Sequence, residues 1–373
     1  MHIFSRLVLP GLIAGLVMAF LPANGSAQMQ KPERVKFETV DQVELIGTFY
    51  PSNEGKKAVP VLILSNLGDS TKGEIAGRDR LAAALQEQGF AVLHFDWRGH
   101  GDSITVGPNF WNSVTNQKYI RGAAPNRQTI NKNDFPPAYY PMLINDITAA
   151  RMFLDRRNDA SECNSANLIV IGMKDGATLG ALWLAGEMDR HRVTQTDPLT
   201  LTPINWDATC EGKRVTAAIW LSMTSSIGGI NFGQLAQLWL KKSGGDYNLP
   251  MAFLYGEQDR NSAAFAGQAY NFVTNRNPKN HPLTAYRPIK GTMVAGAELI
   301  QPNLETEKLI IGYALNVAKQ KGNQDWAAVN AEEKSYVWKP TAGGVATIAK
   351  MGGDKNMLFF PLSRFNIVGI PGN

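Results

Sequence analysis

Apolar and polar positions along the chain follow two periods. Residues 35–40 and 43–50 alternate apolar with polar side chains on either side of the turn-tolerant pair Asp41-Gln42, which predicts an antiparallel hairpin. Six later runs, 61–65, 90–96, 167–172, 215–222, 250–256 and 283–289, are apolar at nearly every position, the pattern of strands covered on both faces. Helical periodicity occupies 75–88, 142–157, 176–188, 232–242, 262–274 and 305–320 between and after them. Strand and helix alternating at this spacing predict an α/β fold: a mostly parallel eight-stranded sheet with an N-terminal antiparallel hairpin and helices on both faces. In such a sheet ligands gather where the strands end at their C-terminal edge.

Three segments depart from the alternation. Arg6 precedes an apolar run over 7–21, and the small residues Gly25 and Ala27 offer a cleavage site before Gln28. The run is broken by Pro10, Gly11 and Gly15 and falls short of the ~20 apolar residues of a membrane span. Residues 1–27 are therefore expected to be a signal peptide, and the protein to be exported, periplasmic or secreted, with no membrane span after cleavage. The main domain is expected over 28–322, with an insert at 103–141. That insert carries Phe110, Trp111, Tyr119, Phe135, Tyr139 and Tyr140 with Lys118, Arg121, Arg127 and Lys132 against Asp134. Two readings of it stand level: an aromatic, basic flap walling a binding site, or a lid that only packs on its own domain. From 323 to 373 the pattern dissolves into Gly, Pro and short strand-like runs at 336–339 and 357–362, an appendage packed on the domain.

Composition narrows the function classes. A chain of 373 residues, 44% hydrophobic and 18% charged, is long enough to bury a core without metal or several disulfides. Its net charge of +5 is spread without a basic block, which argues against a nucleic-acid partner. No His, Cys, Asp and Glu grouping has metal-ligand spacing, and no metal or cofactor is expected. The two cysteines, Cys163 and Cys210, stand just ahead of two consecutive strands. If those strands are neighbours, the Cα atoms approach the roughly 5.5 Å of a disulfide. An exported chain would oxidise such a pair, so a Cys163–Cys210 bridge is expected, with two buried free thiols as the alternative.

The turns carry the chemistry. Asp96-Trp97-Arg98-Gly99-His100-Gly101-Asp102-Ser103 follows the fourth strand, and 167–180 reads as strand, sharp turn and helix. With the 65–70 loop, the Gly256-Glu257-Gln258-Asp259 turn and the Gly291-Thr292 turn, in this order and spacing, the chain resembles the α/β-hydrolase family over about 35–320. The resemblance implies acyl transfer by a nucleophile, a histidine and an acid, with backbone amides holding the oxyanion. The family places its nucleophile at the centre of G-x-S-x-G. Here the pentapeptide is Gly172-Met173-Lys174-Asp175-Gly176, and that position is Lys174. Asp259 matches the acid. After the eighth strand Val294 lies in the turn where the histidine is expected, and no histidine follows His281. Ser65-Asn66-Leu67-Gly68 replaces the His-Gly of the oxyanion loop.

A hydroxyl without an imidazole is a poor nucleophile. The resemblance therefore implies a fold whose usual reaction is switched off, retaining a pocket formed by Ser65, Asn66, Leu67, Met173, Lys174, Asp175 and Asp259, with Trp111 of the flap. An ammonium at this enclosed turn needs a partner, and a Lys174–Asp259 ion pair is expected, the alternative being a lysine that reaches solvent. The partner of such a protein is an unknown small molecule or an envelope protein. The competing reading is a carboxylic-ester hydrolase or peptidase with a relocated site. It would use His100 as base and one of Ser65, Ser103, Ser222, Ser225 or Ser226 as nucleophile. A third is an envelope module making its contact through 323–373.

Overall fold

A computed structural model of the chain describes residues 29–68, 71–200, 203–275, 277–331 and 335–338. The expected signal peptide and the run at 357–362 lie outside the described residues. Eight strands build the central sheet: β1 (Glu33–Glu38), β2 (Glu44–Tyr50), β3 (Pro60–Leu64), β4 (Ala91–Phe95), β5 (Leu168–Met173), β6 (Val215–Leu221), β7 (Met251–Gly256) and β8 (Ala285–Ile289). Their order is β1-β2-β4-β3-β5-β6-β7-β8. β2 runs antiparallel to β1 and β4, in register Phe37↔Leu45 and Phe49↔Leu93. The remaining pairs are parallel. Among the described residues seven α-helices accompany them: α1 (Lys72–Glu87), α2 (Val114–Tyr119), α3 (Ile144–Asp159), α4 (Asp175–Glu187), α5 (Gly233–Leu240), α6 (Arg260–Thr274) and α7 (Thr306–Lys321).

Alternation along the strands sorts side chains into two cores. Leu62, Leu64, Leu93, Phe95 and Trp220 face the side covered by α3, α4, α5 and α6. Val61, Ile63, Ile171 and Ile219 face Leu81 and Leu85 of α1 and Ile310, Ala314 and Val317 of α7. Burial of such side chains on both faces, at roughly 25 cal/mol per Å² of apolar surface, is the main force holding the layers together.

Insert 103–141 packs into the first core. Phe110, Trp111, Phe135 and Tyr139 are buried, and the Trp111 indole donates to the Arg127 carbonyl at 2.6 Å. Its anchor is Arg98, wholly buried on the turn after β4. The guanidinium bridges both Asp41 oxygens at 2.7 and 3.0 Å, Asp146 of α3 at 2.8 Å and the Tyr139 hydroxyl at 2.8 Å. Tyr139 in turn donates to Asn116 of α2. Of the two readings of the insert, packing on its own domain describes these aromatics; Trp111 belongs to the core.

A feature absent from the sequence reading follows α4. Arg190–Thr196 and Pro203–Cys210 form an antiparallel hairpin, and Tyr336–Trp338 adds to its inner strand. Beneath it Arg192 forks onto Glu211, and Arg190 pairs with Glu187 while lying over the Tyr336 ring. The chain reaches that strand along the domain surface, where Trp326 donates to the Asn158 carbonyl and the Val329 and Ala331 amides donate to Asp159.

This hairpin also corrects the disulfide. Both cysteines are free and buried. Cys210 is drawn into register with His191, whereas the Cys163 thiol donates toward the Leu154 carbonyl of α3 at 3.6 Å. Burial raises both thiols above their ordinary value.

Candidate functional site

β5 delivers Lys174 at φ 51° and ψ −123°, a conformation that L-residues rarely adopt, and α4 begins at the next residue. The flanking glycines make the bend possible. A Cβ on Gly176 would stand 2.2 Å from the Ser65 carbonyl oxygen, and one on Gly172 2.6 Å from the Ala177 Cα. β5 thus turns sharply into a helix and presents one side chain at the edge of the sheet, between β3 and β6.

That side chain does not reach Asp259. The Lys174 ammonium pairs with Glu74 Oε1 at 3.2 Å, and its methylene stem runs over Gly296, where a Cβ would come within 2.9 Å of the Lys174 Cε. Glu74 is buried in the first turn of α1 and closes a capping box, its Oε2 accepting the Thr71 amide at 2.9 Å while the Thr71 hydroxyl caps the Glu74 amide. One carboxylate therefore serves both a helix end and a lysine. Asp259 is committed elsewhere: it is the N-cap of α6, accepting from the Ser262 amide at 3.2 Å. The expected Lys174–Asp259 pair is corrected to Lys174–Glu74 because helix capping turns the acid away. The Thr71-x-x-Glu74 spacing is the signal that could have found this partner.

Asp175 is the second surprise. Its Oδ1 accepts the Leu67 amide at 3.0 Å. The backbone amides of Asp175 and Gly176 lie close by and, like the Leu67 amide, favour its ionised form. Burial keeps the carboxyl above the usual carboxylate range, against the pull of these three amides and of Lys174. The cluster joins the loop after β3 to the start of α4. In an acyl-transfer site of this fold that is where backbone amides face a developing oxyanion. Here a carboxyl group of the chain itself holds the Leu67 amide.

The remaining expected residues fall around this centre. Met173 is core, and Asn66 is half-buried. The Ser65 carbonyl accepts the Trp97 indole N–H, while its buried hydroxyl has no partner among the described residues. The 292–294 turn sits on the end of β7, with the Thr292 and Val294 carbonyl oxygens within 2.9 Å of where a Gly256 Cβ would lie. Val294 thus stands beside the acid turn, as the resemblance implies, but carries no titratable group. Both His100 ring nitrogens contact backbone oxygens, Nδ1 that of Arg98 at 3.0 Å and Nε2 that of Leu67 at 2.8 Å. The Ser103 hydroxyl accepts the Ile46 amide at 2.9 Å, and the Ser222 hydroxyl is fully buried without a partner among the described residues. Among the described residues no serine hydroxyl meets an imidazole.

A cavity of about 600 Å³ opens at the same edge, beyond β6. It is lined from the loop at 223–226 and the N-terminal turns of α5 and α6, including Ser225, Ser226, Gln234 and Asn261. Lys174, Asp175, Asp259 and Trp111 are not among its walls, so the cavity lies beside the elbow and not over it.

The strand order and the glycine-flanked elbow define the α/β-hydrolase fold. Solved structures similar to this chain include an esterase from Pyrococcus furiosus, 16% identical, covering 77% of this chain and 92% of its own with a TM-score of 0.47. A dienelactone hydrolase from Anabaena variabilis is 13% identical, covering 78% and 99% with a TM-score of 0.46. A thermostable carboxyl esterase from Bacillus coagulans, solved with glycerol, is 10% identical, covering 77% and 99% with a TM-score of 0.45. No protein-family model and no curated protein sequence matches the chain.

Proposed function

We propose that this chain is an exported α/β-hydrolase-fold protein that binds a ligand or partner and does not hydrolyse it. The observation that carries the reading is the Asp175 carboxylate hydrogen-bonded to the Leu67 amide at 3.0 Å, at the start of α4. Acyl transfer builds negative charge on a carbonyl oxygen, and donors aimed at that oxygen are the main source of rate. A resident carboxylate both occupies the Leu67 donor and repels the charge. The absence of a nucleophilic hydroxyl at Lys174 and of an imidazole at Val294 acts in the same direction, since loss of triad members removes most of the catalysis. Export is supported by the Arg6-led apolar segment and its small-residue cleavage site.

A fluorophosphonate probe with a short-chain ester assay on the purified protein tests the reading. Silence in both is expected. Labelling of a single serine, abolished by His100→Ala, would instead establish the relocated hydrolase. Fusion of the first 28 residues to alkaline phosphatase tests export, with activity on the far side of the inner membrane expected.

A further inference from the structure

We infer that the cavity beyond β6 is a binding site for a neutral, polyhydroxylated ligand, a carbohydrate. The inference deepens the binding reading by naming the ligand class. The cavity, about 600 Å³, is within the range of small-molecule sites. Among the described residues its walls hold no Asp, Glu, Lys, Arg or His. They are instead hydroxyls and carboxamides: Thr224, Ser225, Ser226 and Ser262 with Asn231, Gln234, Gln237, Asn261 and Gln268.

Some of these groups are spent within the chain. Asn231 accepts the Gly233 amide, Gln237 donates to Gln268 at 2.9 Å, and the Thr224 hydroxyl donates to the Ser226 carbonyl. The carboxamides of Gln234 and Asn261 and the hydroxyls of Ser225, Ser226 and Ser262 have no such partner among the described residues. Ser262, 7% exposed, adds a hydroxyl to the wall at the first turn of α6.

Wall chemistry selects the ligand. Each free group both donates and accepts, or presents a donor beside an acceptor, and so matches a surface of closely spaced hydroxyls. A phosphate, carboxylate or ammonium would meet no charged side chain on these walls, only the weak partial charge of two helix starts, against the cost of losing its hydration. A nucleobase would need an aromatic face, whereas Phe265 and Met223 are themselves nearly buried. A peptide would need a free strand edge or a deep apolar pocket for an anchor, and the walls are helix starts and turns.

The test is a glycan array carrying neutral and anionic oligosaccharides, probed with the full mature chain, with titration calorimetry of each hit and of tri-alanine. Binding of a neutral oligosaccharide is expected, weakened about tenfold by Asn261→Ala and by Gln234→Ala, the loss of one or two hydrogen bonds each. Both residues are exposed, so the unfolding midpoint should stay at the wild-type value. A silent array overturns the inference, as does binding confined to uronate or sulfated glycans, binding of tri-alanine alone, or equal affinity in the variants. The two readings fail separately: a labelled serine ends the non-hydrolytic reading, while a silent array ends only the carbohydrate assignment.

Discussion

Lys174 occupies a backbone conformation that glycine adopts freely and that costs other residues about 1–3 kcal/mol. Its ion pair with Glu74 partly offsets this strain, with the lysine side chain 31% exposed and the glutamate 4%. Substitution separates the two effects. Lys174→Gly and Lys174→Ala both remove the pair, but only glycine relieves the backbone. Glycine also loosens the unfolded chain, which reduces the gain. Urea denaturation should therefore place Lys174→Gly about 1 kcal/mol above Lys174→Ala. Equal midpoints would mean that the bend stores no strain. A companion experiment asks whether the nucleophile alone is what this site lacks. Lys174→Ser should remain inactive on short-chain esters, because Asp175 still occupies the Leu67 amide and no histidine has been supplied. Turnover above wild type would show that the carboxylate yields its place to substrate.

Elements are held to one another by a few buried charges, and Arg98 is the clearest case. It ties the β1–β2 turn through Asp41, the insert through Tyr139 and α3 through Asp146. Burial and both carboxylates act on it, and the net effect holds the guanidinium well above its ordinary value. Removing one partner of a buried charge cluster typically costs 3–5 kcal/mol because the other charges are left unpaired. Arg98→Met should lower stability by about that amount and speed amide hydrogen exchange across 103–141. Tyr139→Phe should cost only about 1–2 kcal/mol, read by the same measurements. Unchanged exchange in the insert would separate Arg98 from the anchoring role. At this scale the sequence was most legible. All eight strands and the six main helices lie where apolar periodicity placed them, within a few residues, because that signal is set by burial of contiguous chain. The hairpin at Arg190–Cys210 was missed because its outer half buries neither face, so its side chains follow no period. The site was half legible. Glycine spacing gave the elbow, but the partner of Lys174 is 100 positions away and is chosen by where a helix cap leaves a free oxygen. Asp175 was placed in the pocket without its role, since nothing in sequence tells a carboxylate that faces solvent from one that folds back on amides.

Across the whole molecule, buried charge sets how stability responds to acid. The cluster between α3, α4 and the Arg190–Cys210 hairpin contains Arg151, Arg190 and Arg192 with Asp155, Glu187 and Glu211. For Glu211, burial alone would raise the carboxyl, but the Arg192 fork, with Arg190 and Arg151 behind it, overrides this and holds it at about 2 against an ordinary 4.5. A carboxyl lowered by folding adds stability above its unfolded value and loses it as pH falls through the folded one. The Glu211 contribution is therefore full above about pH 5 and gone near pH 2. Glu187 has the opposite sign: burial outweighs Arg190 and raises it, so its ionisation works against the folded state as pH rises. In Glu211→Gln, Arg192 loses its counter-charge, and at pH 7 the variant should be about 3–5 kcal/mol less stable. Urea midpoints measured from pH 7 to pH 3 should converge, wild type falling more steeply because only it loses the Glu211 term. Glu187→Gln should shift the curve with the reverse slope. Parallel wild-type and Glu211→Gln curves would mean that this pair does not govern the acid limb, and the Arg98 cluster, where Asp41 is likewise lowered, would be the next place to look.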